Sequence, residues 1–259
     1  MSNQYGSAQI VSDGLKLCID ANATTSYGGS GSTWYDISGE GNNITIPGSP
    51  SNPTYNSAGY FSFDGSGERD GDPPGDYIGG GFGGAGGLCS SNQYLASGAS
   101  YCWWSRITTA QAYGQCILYG ASTIAHIEFK NEGTASPYFR TEAAMQNGYM
   151  LGSNATIPGG SLVGRWAYFV IVIDNSASPR TAYWYSNGAL FDTKNITTGS
   201  YPTNEYFYLN YIGRSTGTAS YLYSQSFYGD LGNFQFYGKA LSSTEVEQNF
   251  EAHRARFGV

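Results

Sequence analysis

The sequence predicts an all-β fold, a single β-sandwich closed by one short C-terminal helix, and three observations carry that prediction. The 259-residue chain holds 23 Tyr and 37 Gly while only 12% of its residues are charged, a combination that suits short strands, tight turns and amphipathic aromatic surfaces. Short apolar runs follow one another along the chain, separated by Gly, Asn and Ser, as successive strands and turns should. No repeat of fixed period and no linker separates two cores, and all-β sandwiches reach this length as one domain.

The elements read in order. LKLCIDA (15–21) alternates, with Leu15, Leu17 and Ile19 on one face and Lys16, Cys18 and Asp20 on the other, the pattern of a half-buried strand. The Gly/Ser run 27–32 is loop, after which Trp34 and Ile37 offer anchors beside the turn Ser38-Gly39-Glu40-Gly41-Asn42. YFSFDG (60–65) is a second strand. A Gly-rich stretch, 65–100, is expected as an inserted or elaborated loop and a candidate contact surface. Strands are expected at 100–110, 116–121, 124–130 and 136–142. The longest apolar strand is GRWAYFVIVIDN (164–175), and 181–194 forms a hairpin around Asn187-Gly188. Strands at 205–213 and 226–237 complete the sheet. A helix runs from Ser243 to about Arg254, with Ser242 and Glu245 as a capping box and Val246 and Phe250 on one face; it is expected to plug one end of the sandwich. Residues 1–12 are read as an N-terminal arm and 13–259 as the domain.

Two segments nearly a chain length apart carry a resemblance. GLKLCIDANATTSYGGSGSTWYDISGEGNN (14–43) resembles the opening of concanavalin A-like, laminin G-like (LamG-like) jelly-roll domains, and IGR…FYGDLGNFQFYGKALSSTEVEQNF (212–250) resembles their closing strand and helix. The W-x-D-x-S-G-x-G-N pattern from Trp34 to Asn42 is the most family-specific stretch, and Tyr185-Ser186-Asn187-Gly188 stands where that family has Y-V-N-G. The same motif pair is similar to those of bacteriophage particle proteins. The resemblance therefore implies a non-enzymatic virion protein, assembled in a host cytoplasm: a capsid decoration, fibre or adhesin. Its implied partners are other capsid or fibre subunits, with a homotrimer and a cell-surface glycan as further expectations. It also implies a calcium ion at the rim of the sandwich, for which Asp64, Asp76 and Asp230 are the expected metal ligands and Asp70 and Asp72 additional ones; ordinary turn carboxylates are the competing reading.

Charge and spacing exclude other classes. The formal net charge of -7 and pI of about 4.7 argue against a phosphate-binding surface, since nucleic-acid affinity rests on clustered Lys and Arg. No apolar run reaches the ~18–20 residues of a membrane helix, and the N-terminus does not read as a secretory signal. Cys18, Cys89, Cys102 and Cys116 are therefore expected as free thiols, and without a C-x-x-C pair and with only His126 and His253 a Cys/His zinc site is not expected.

Polysaccharide cleavage needs paired carboxylates on one strand face. Glu68-Arg69-Asp70-Gly71-Asp72 lies among prolines and glycines, and Glu128 and Glu132 straddle a strand end, so no enzyme is expected, although Glu128 and Asp70 would be the residues to replace. GGGFGGAGG lacks the Lys-Ser/Thr ending of a phosphate loop. A lectin role, the binding-module alternative, points to Trp103 and Trp104 as ligand-stacking residues; adjacent in one strand, they face opposite sides, so one at most serves a given face.

Overall fold

The structure, a computed structural model, describes residues 9–50, 52–65, 76–79, 97–109, 115–119, 126–130, 138–142, 157–158, 162–195, 211–214 and 226–259. The first strands are β1 (Leu15–Asp20), β2 (Thr33–Trp34), β3 (Ile44–Thr45), β4 (Thr54–Asn56) and β5 (Tyr60–Asp64). They are followed by β6 (Ile78–Gly79), β7 (Gly98–Ile107), β8 (Gln115–Tyr119), β9 (His126–Lys130) and β10 (Tyr138–Glu142). The chain then forms β11 (Trp166–Asp174), β12 (Thr181–Ser186), β13 (Ala189–Asn195), β14 (Tyr211–Ile212), β15 (Tyr228–Tyr237) and the helix α1 (Ser243–Phe257).

Two antiparallel sheets face each other. The larger has the order β13-β12-β11-β7-β15-β5-β4, and the smaller β10-β9-β8-β14-β6. One edge of β15 is shared: Tyr228–Leu231 pairs with β5, and Asn233–Tyr237 pairs with β1, while β7 runs along the other edge. The Gly-rich stretch is not loop throughout, because β6 lies inside it and joins the small sheet beside β14. A two-residue strand leaves no alternation for a sequence to display.

The space between the sheets is filled by rings and branched chains. Trp103, Phe169, Ile171, Trp184, Phe234 and Phe236 of the large sheet pack in one core with Ile117, Ile127, Phe129 and Ile212 of the small one. Leu17 and Ile19 enter this core as the alternation of β1 requires. Leu15 does not: an irregularity in register between Leu15 and Leu17 turns it to the opposite side of the sheet, as one extra residue in a strand does.

That opposite side carries a second cluster. Cys102, Trp104, Tyr168, Val170, Val172 and Tyr185 are covered by Val246 and Phe250 of α1. The helix thus lies on the outer face of the large sheet rather than plugging an end of the sandwich. It extends to Phe257, a turn beyond the expected end, and closes on Gly258 in a left-handed conformation, the usual helix-terminating geometry. Its start is the expected capping box of Ser242 and Glu245. Phe257 stacks on Trp104 with ring centroids 4.4 Å apart and planes 14° apart. Packing of this kind contributes about 0.5–1.5 kcal/mol beyond the area buried.

The segment before β1 is held to this helix. Val11 N–H donates to Asn249 Oδ1 at 2.8 Å, Tyr237 Oη donates to the Val11 carbonyl at 3.0 Å, and Asn249 Nδ2 donates to Tyr237 Oη at 3.0 Å. Residues 9–12 therefore pack on their own domain. At the other end of α1, Arg256 Nη1 lies 2.6 Å from Asp20 Oδ1, and its Nη2 donates to the Gly59 carbonyl. His253 stands beside them, 3.7 Å from Asp20 Oδ2.

The Trp34–Asn42 motif is an architectural knot. Trp34 is fully buried against Phe61, with centroids 4.7 Å apart. The Asp36 carboxylate accepts from the Cys18, Ser38 and Asn42 amides and from Ser38 Oγ, all at 2.8–2.9 Å. Ser38 and Asn42 of W-x-D-x-S-G-x-G-N thus both place donors on the Asp36 carboxylate, and the loop is closed by its own residues and Cys18. In the central hairpin, Asn187 (φ 50°) and Gly188 (φ 79°) are both left-handed, the geometry a two-residue turn between twisted strands demands.

Cys18 and Cys102 are buried free thiols. They flank Gln235 on either side of β15, two strand spacings apart and beyond disulfide reach. Burial pushes the Cys102 thiol up to about 12, so it is inert at neutral pH.

Candidate functional site on the outer face of the large sheet

Beyond the last turn of α1 the outer face of the large sheet is not covered by the helix. Pairing aligns one residue from each of five strands there: Thr54 opposite Ser62, Ser62 opposite Asp230, Asp230 opposite Arg106, and Arg106 opposite Trp166. Residues directly opposite one another share a sheet face, so these five form a row across the sheet, with Tyr60 beside it.

Asp230 is the centre of the row and is buried. Its Oδ1 accepts from Ser62 Oγ at 2.6 Å, and its Oδ2 accepts from Arg106 Nε at 2.8 Å and lies 2.6 Å from Nη2. The Arg106 guanidinium carbon sits 5.1 Å from the centroid of Trp166 and 5.5 Å from that of Tyr60, within the range of cation–π attraction. Tyr60 meets Trp166 edge-on at 5.5 Å, and Phe257 packs on Trp166 at 4.7 Å. Tyr60, Arg106 and Trp166 all remain partly exposed. The result is a rigid platform of two rings and a guanidinium whose charge is balanced from beneath.

The expected calcium ligands do not converge. Asp64 and Asp76 meet: Asp76 Oδ2 accepts from the Asp64 amide at 3.0 Å. Burial, and secondarily the Asp64 carboxylate, push the Asp76 carboxyl up to about 6 against the opposing effect of that amide. Asp230 is committed to Arg106 and Ser62, and the adjacent guanidinium disfavours a cation there. Among the described residues no three His, Cys, Asp or Glu side chains group as a metal site. Asp70, Asp72, Glu132 and residues 80–87 of the GGGFGGAGG run lie outside the described residues, as do the side chains of His126 and Glu128, whose backbones pair within β9 and its neighbours.

The expected ligand-stacking pair is corrected. Trp103 and Trp104 do face opposite sides, but both are fully buried: Trp103 between the sheets against Phe129 and Phe169, Trp104 beneath α1 against Phe250 and Phe257. Neither offers a ring to a ligand. Sequence reasoning passed over Trp166, the tryptophan with partial exposure in the row. Its signal was phase: Trp166 shares the outward face with Tyr168, Val170 and Val172 but lies at the strand's first position, beyond what the helix covers.

The architecture defines the class. The family sequence model of the concanavalin A-like lectin/glucanases superfamily, laminin G type, matches residues 82–247, more than half of the chain; the chain belongs to this superfamily. Solved structures agree on the fold. The botulinum neurotoxin type G receptor binding domain aligns with a TM-score of 0.54 at 14% identity, covering 91% of this chain and 50% of that one. The binding domain of Paraclostridial mosquitocidal protein 1 gives 0.56 at 14%, covering 92% and 52%. Trypanosoma rangeli sialidase in complex with 2,3-difluorosialic acid gives 0.58 at 14%, covering 94% and 34%. The chain spans about half the length of the two toxin domains and about a third of the sialidase. Among curated protein sequences none matches.

Proposed function

We propose that this protein is a non-catalytic β-sandwich displayed on a bacteriophage particle, as a capsid decoration, fibre or adhesin protein, and that the Tyr60–Arg106–Trp166 platform makes its contact with a neighbouring subunit or target. One observation carries the reading: the buried carboxylate of Asp230 has both oxygens engaged by donors, so the row presents rings and a neutralised guanidinium rather than a free acid, base or nucleophile. Aromatic and arginine side chains fixed in place are the residue types that dominate protein contacts. Weak contacts of this kind gain strength when a particle repeats them in many copies. The calcium ion implied by the family resemblance belongs, in this reading, to the Asp64–Asp76 rim, with oxygens of other groups completing its shell.

A second reading, attachment to a host-surface glycan, is supported by the lectin-containing superfamily to which the chain belongs. Antibody-gold labelling and peptide mass spectrometry of purified particles separate the two. Regular labelling over the head is expected for a decoration protein, and labelling at the tail tip makes attachment the leading account. Absence of the protein from particles overturns the virion assignment. Tyr60→Ala, a change at a partly exposed ring, is expected to lower incorporation while lowering the unfolding midpoint only slightly, through the lost contacts with Trp166 and Arg106.

A further inference from the structure

The small sheet carries a second cluster of two rings and a guanidinium, on the side of the sandwich away from the large sheet. Ile78 of β6 and Ile212 of β14 pair with each other and point into the core, so their neighbours Tyr77 and Tyr211 face outward. The register partner of Tyr211 is Gly79, which has no side chain to occupy that face. Gly213, left-handed at φ 94°, then turns the chain off β14, and a Cβ there would lie 2.5 Å from the Phe63 ring. This turn sets Arg214 over the two tyrosines.

The Arg214 guanidinium carbon sits 4.1 Å from the centroid of Tyr77 and 4.5 Å from that of Tyr211, and the two rings meet edge-on at 5.4 Å. Both approaches are closer than those of Arg106 to Tyr60 and Trp166. All three side chains are partly exposed. The likeness to the large-sheet platform ends at the counter-charge. Arg106 has the Asp230 carboxylate at 2.6 Å, whereas no carboxylate of the described residues pairs with Arg214. Its Nε is also buried without a hydrogen-bond partner. With Nε sealed in a residue that is itself partly exposed, the Nη fork is the edge presented outward.

Ring faces attract a guanidinium without neutralising it, so Arg214 is held in place with its full charge. What it lacks is an acceptor in the plane of its fork, and the group that matches a guanidinium edge through two parallel bonds is a carboxylate. A single cation on a chain of net charge -7 suits a monoanion; a phosphate dianion would meet the same one cation against stronger overall repulsion. We infer that Tyr77, Arg214 and Tyr211 form a docking point for the carboxylate of an acidic side chain on a partner protein, with the tyrosine rings packing on the methylene stem of that side chain. Charge complementarity selects the partner, and arginine flanked by tyrosines is the composition that concentrates binding energy in protein contacts. The inference rests on the reading of the protein as a displayed contact module for its setting. It adds a contact on the face opposite the Tyr60–Arg106–Trp166 platform, so that one copy joins two neighbours.

Arginine side-chain NMR on the full purified chain tests it. The probe is the blocked tripeptide acetyl-Gly-Glu-Gly-amide, with its Gly-Gln-Gly counterpart as the uncharged comparison and acetate and inorganic phosphate as free anions. The Arg214 Nε–H signal is expected to shift saturably with the Glu peptide, at an affinity about tenfold above that for the Gln peptide, while the Arg106 signal, already paired with Asp230, stays in place. Arg214→Gln is expected to abolish the response, read from the backbone amides of Tyr77 and Tyr211; should that variant unfold, Arg214→Lys, which keeps the charge but not the fork, decides by weakening it. Absence of a saturable shift at tens of millimolar peptide, an equal response to the Gln peptide, tighter binding of phosphate, or a response undiminished in Arg214→Lys overturns the inference. Acetate bound as tightly as the peptide assigns the site to free acids and overturns the docking reading. Because the isolated protein is used, such results leave the particle-labelling experiment to stand or fall separately.

Discussion

The two faces of the large sheet bury two adjacent tryptophans by different means. Inward, Trp103 is sealed by a second sheet, among apolar side chains contributed by eight or more strands. Outward, Trp104 is sealed by one helix, and around it stand polar groups: Tyr168, Tyr237, Asn249, Cys102 and, at the helix end, Asp20, Arg256 and His253. The inner face depends on volume and shape. The outer face depends as well on a few directional bonds between segments more than two hundred residues apart in sequence. The outer seam should therefore respond to single polar changes and to pH where the inner core does not.

The largest expected effect is on the inner side. Trp103→Ala should destabilise the fold by about 3–5 kcal/mol, read as a fall in the midpoint of a single cooperative denaturant transition; a loss below about 1 kcal/mol would show that the inter-sheet core repacks freely. Next comes the seam. Asn249→Ala strips the buried Val11 amide of its acceptor and Tyr237 Oη of the donor it accepts from, leaving only the bond from Tyr237 to the Val11 carbonyl, and should cost about 1–3 kcal/mol. Hydrogen exchange should then accelerate in α1 and residues 9–12 before it does in β7 or β11. Equal acceleration in all four segments would erase the distinction between the faces.

The smallest expected effect is a pH dependence that separates two groups. Burial, aided by Arg256 and opposed by Asp20, holds the His253 imidazole below its ordinary value of 6.5. Below pH 6.5 the unfolded chain thus takes up a proton that the folded chain resists, and stability contributed at neutral pH is lost as the pH falls through that window. Asp76 acts in the opposite sense. Its folded value of about 6 lies above the ordinary 3.8, so acidification from pH 6 towards 4 relieves a penalty and stabilises the fold. His253→Gln should therefore flatten the acid-side decline in thermal midpoint, and Asp76→Asn should steepen it. The same sign for both variants would sink the assignment.

Local patterns in the sequence were sufficient where one segment determines its own geometry. Asn187-Gly188 is the left-handed pair of a tight hairpin, Ser242 and Glu245 form the cap, and the neighbours Trp103 and Trp104 point to opposite faces. They were insufficient where a distant segment decides. That Trp104 is buried follows from where α1 lies, and α1 has the same amphipathic pattern whether it plugs an end or covers a face. Leu15 obeys perfect alternation in sequence yet lies on the outer side, because register irregularity is a property of the pair of strands. Asp230 was singled out only by the family resemblance, as an expected metal ligand. Its partner Arg106, 124 positions away, was not legible from any spacing.

The position of β15 has a consequence for how the molecule is made. This strand fills the gap between β7 on one side and β5 and β1 on the other, yet among the described strands it comes last in chain order. Until residues 228–237 emerge, the edges of β1, β5 and β7 that it will occupy have no partner, and unpaired strand edges are sticky. Assembly of the large sheet is therefore dominated by contacts of long sequence separation and correspondingly slow. A nascent chain from which Tyr228–Tyr237 has not yet emerged would expose much of its hydrophobic content with no completed large sheet, the species that a chaperone must hold.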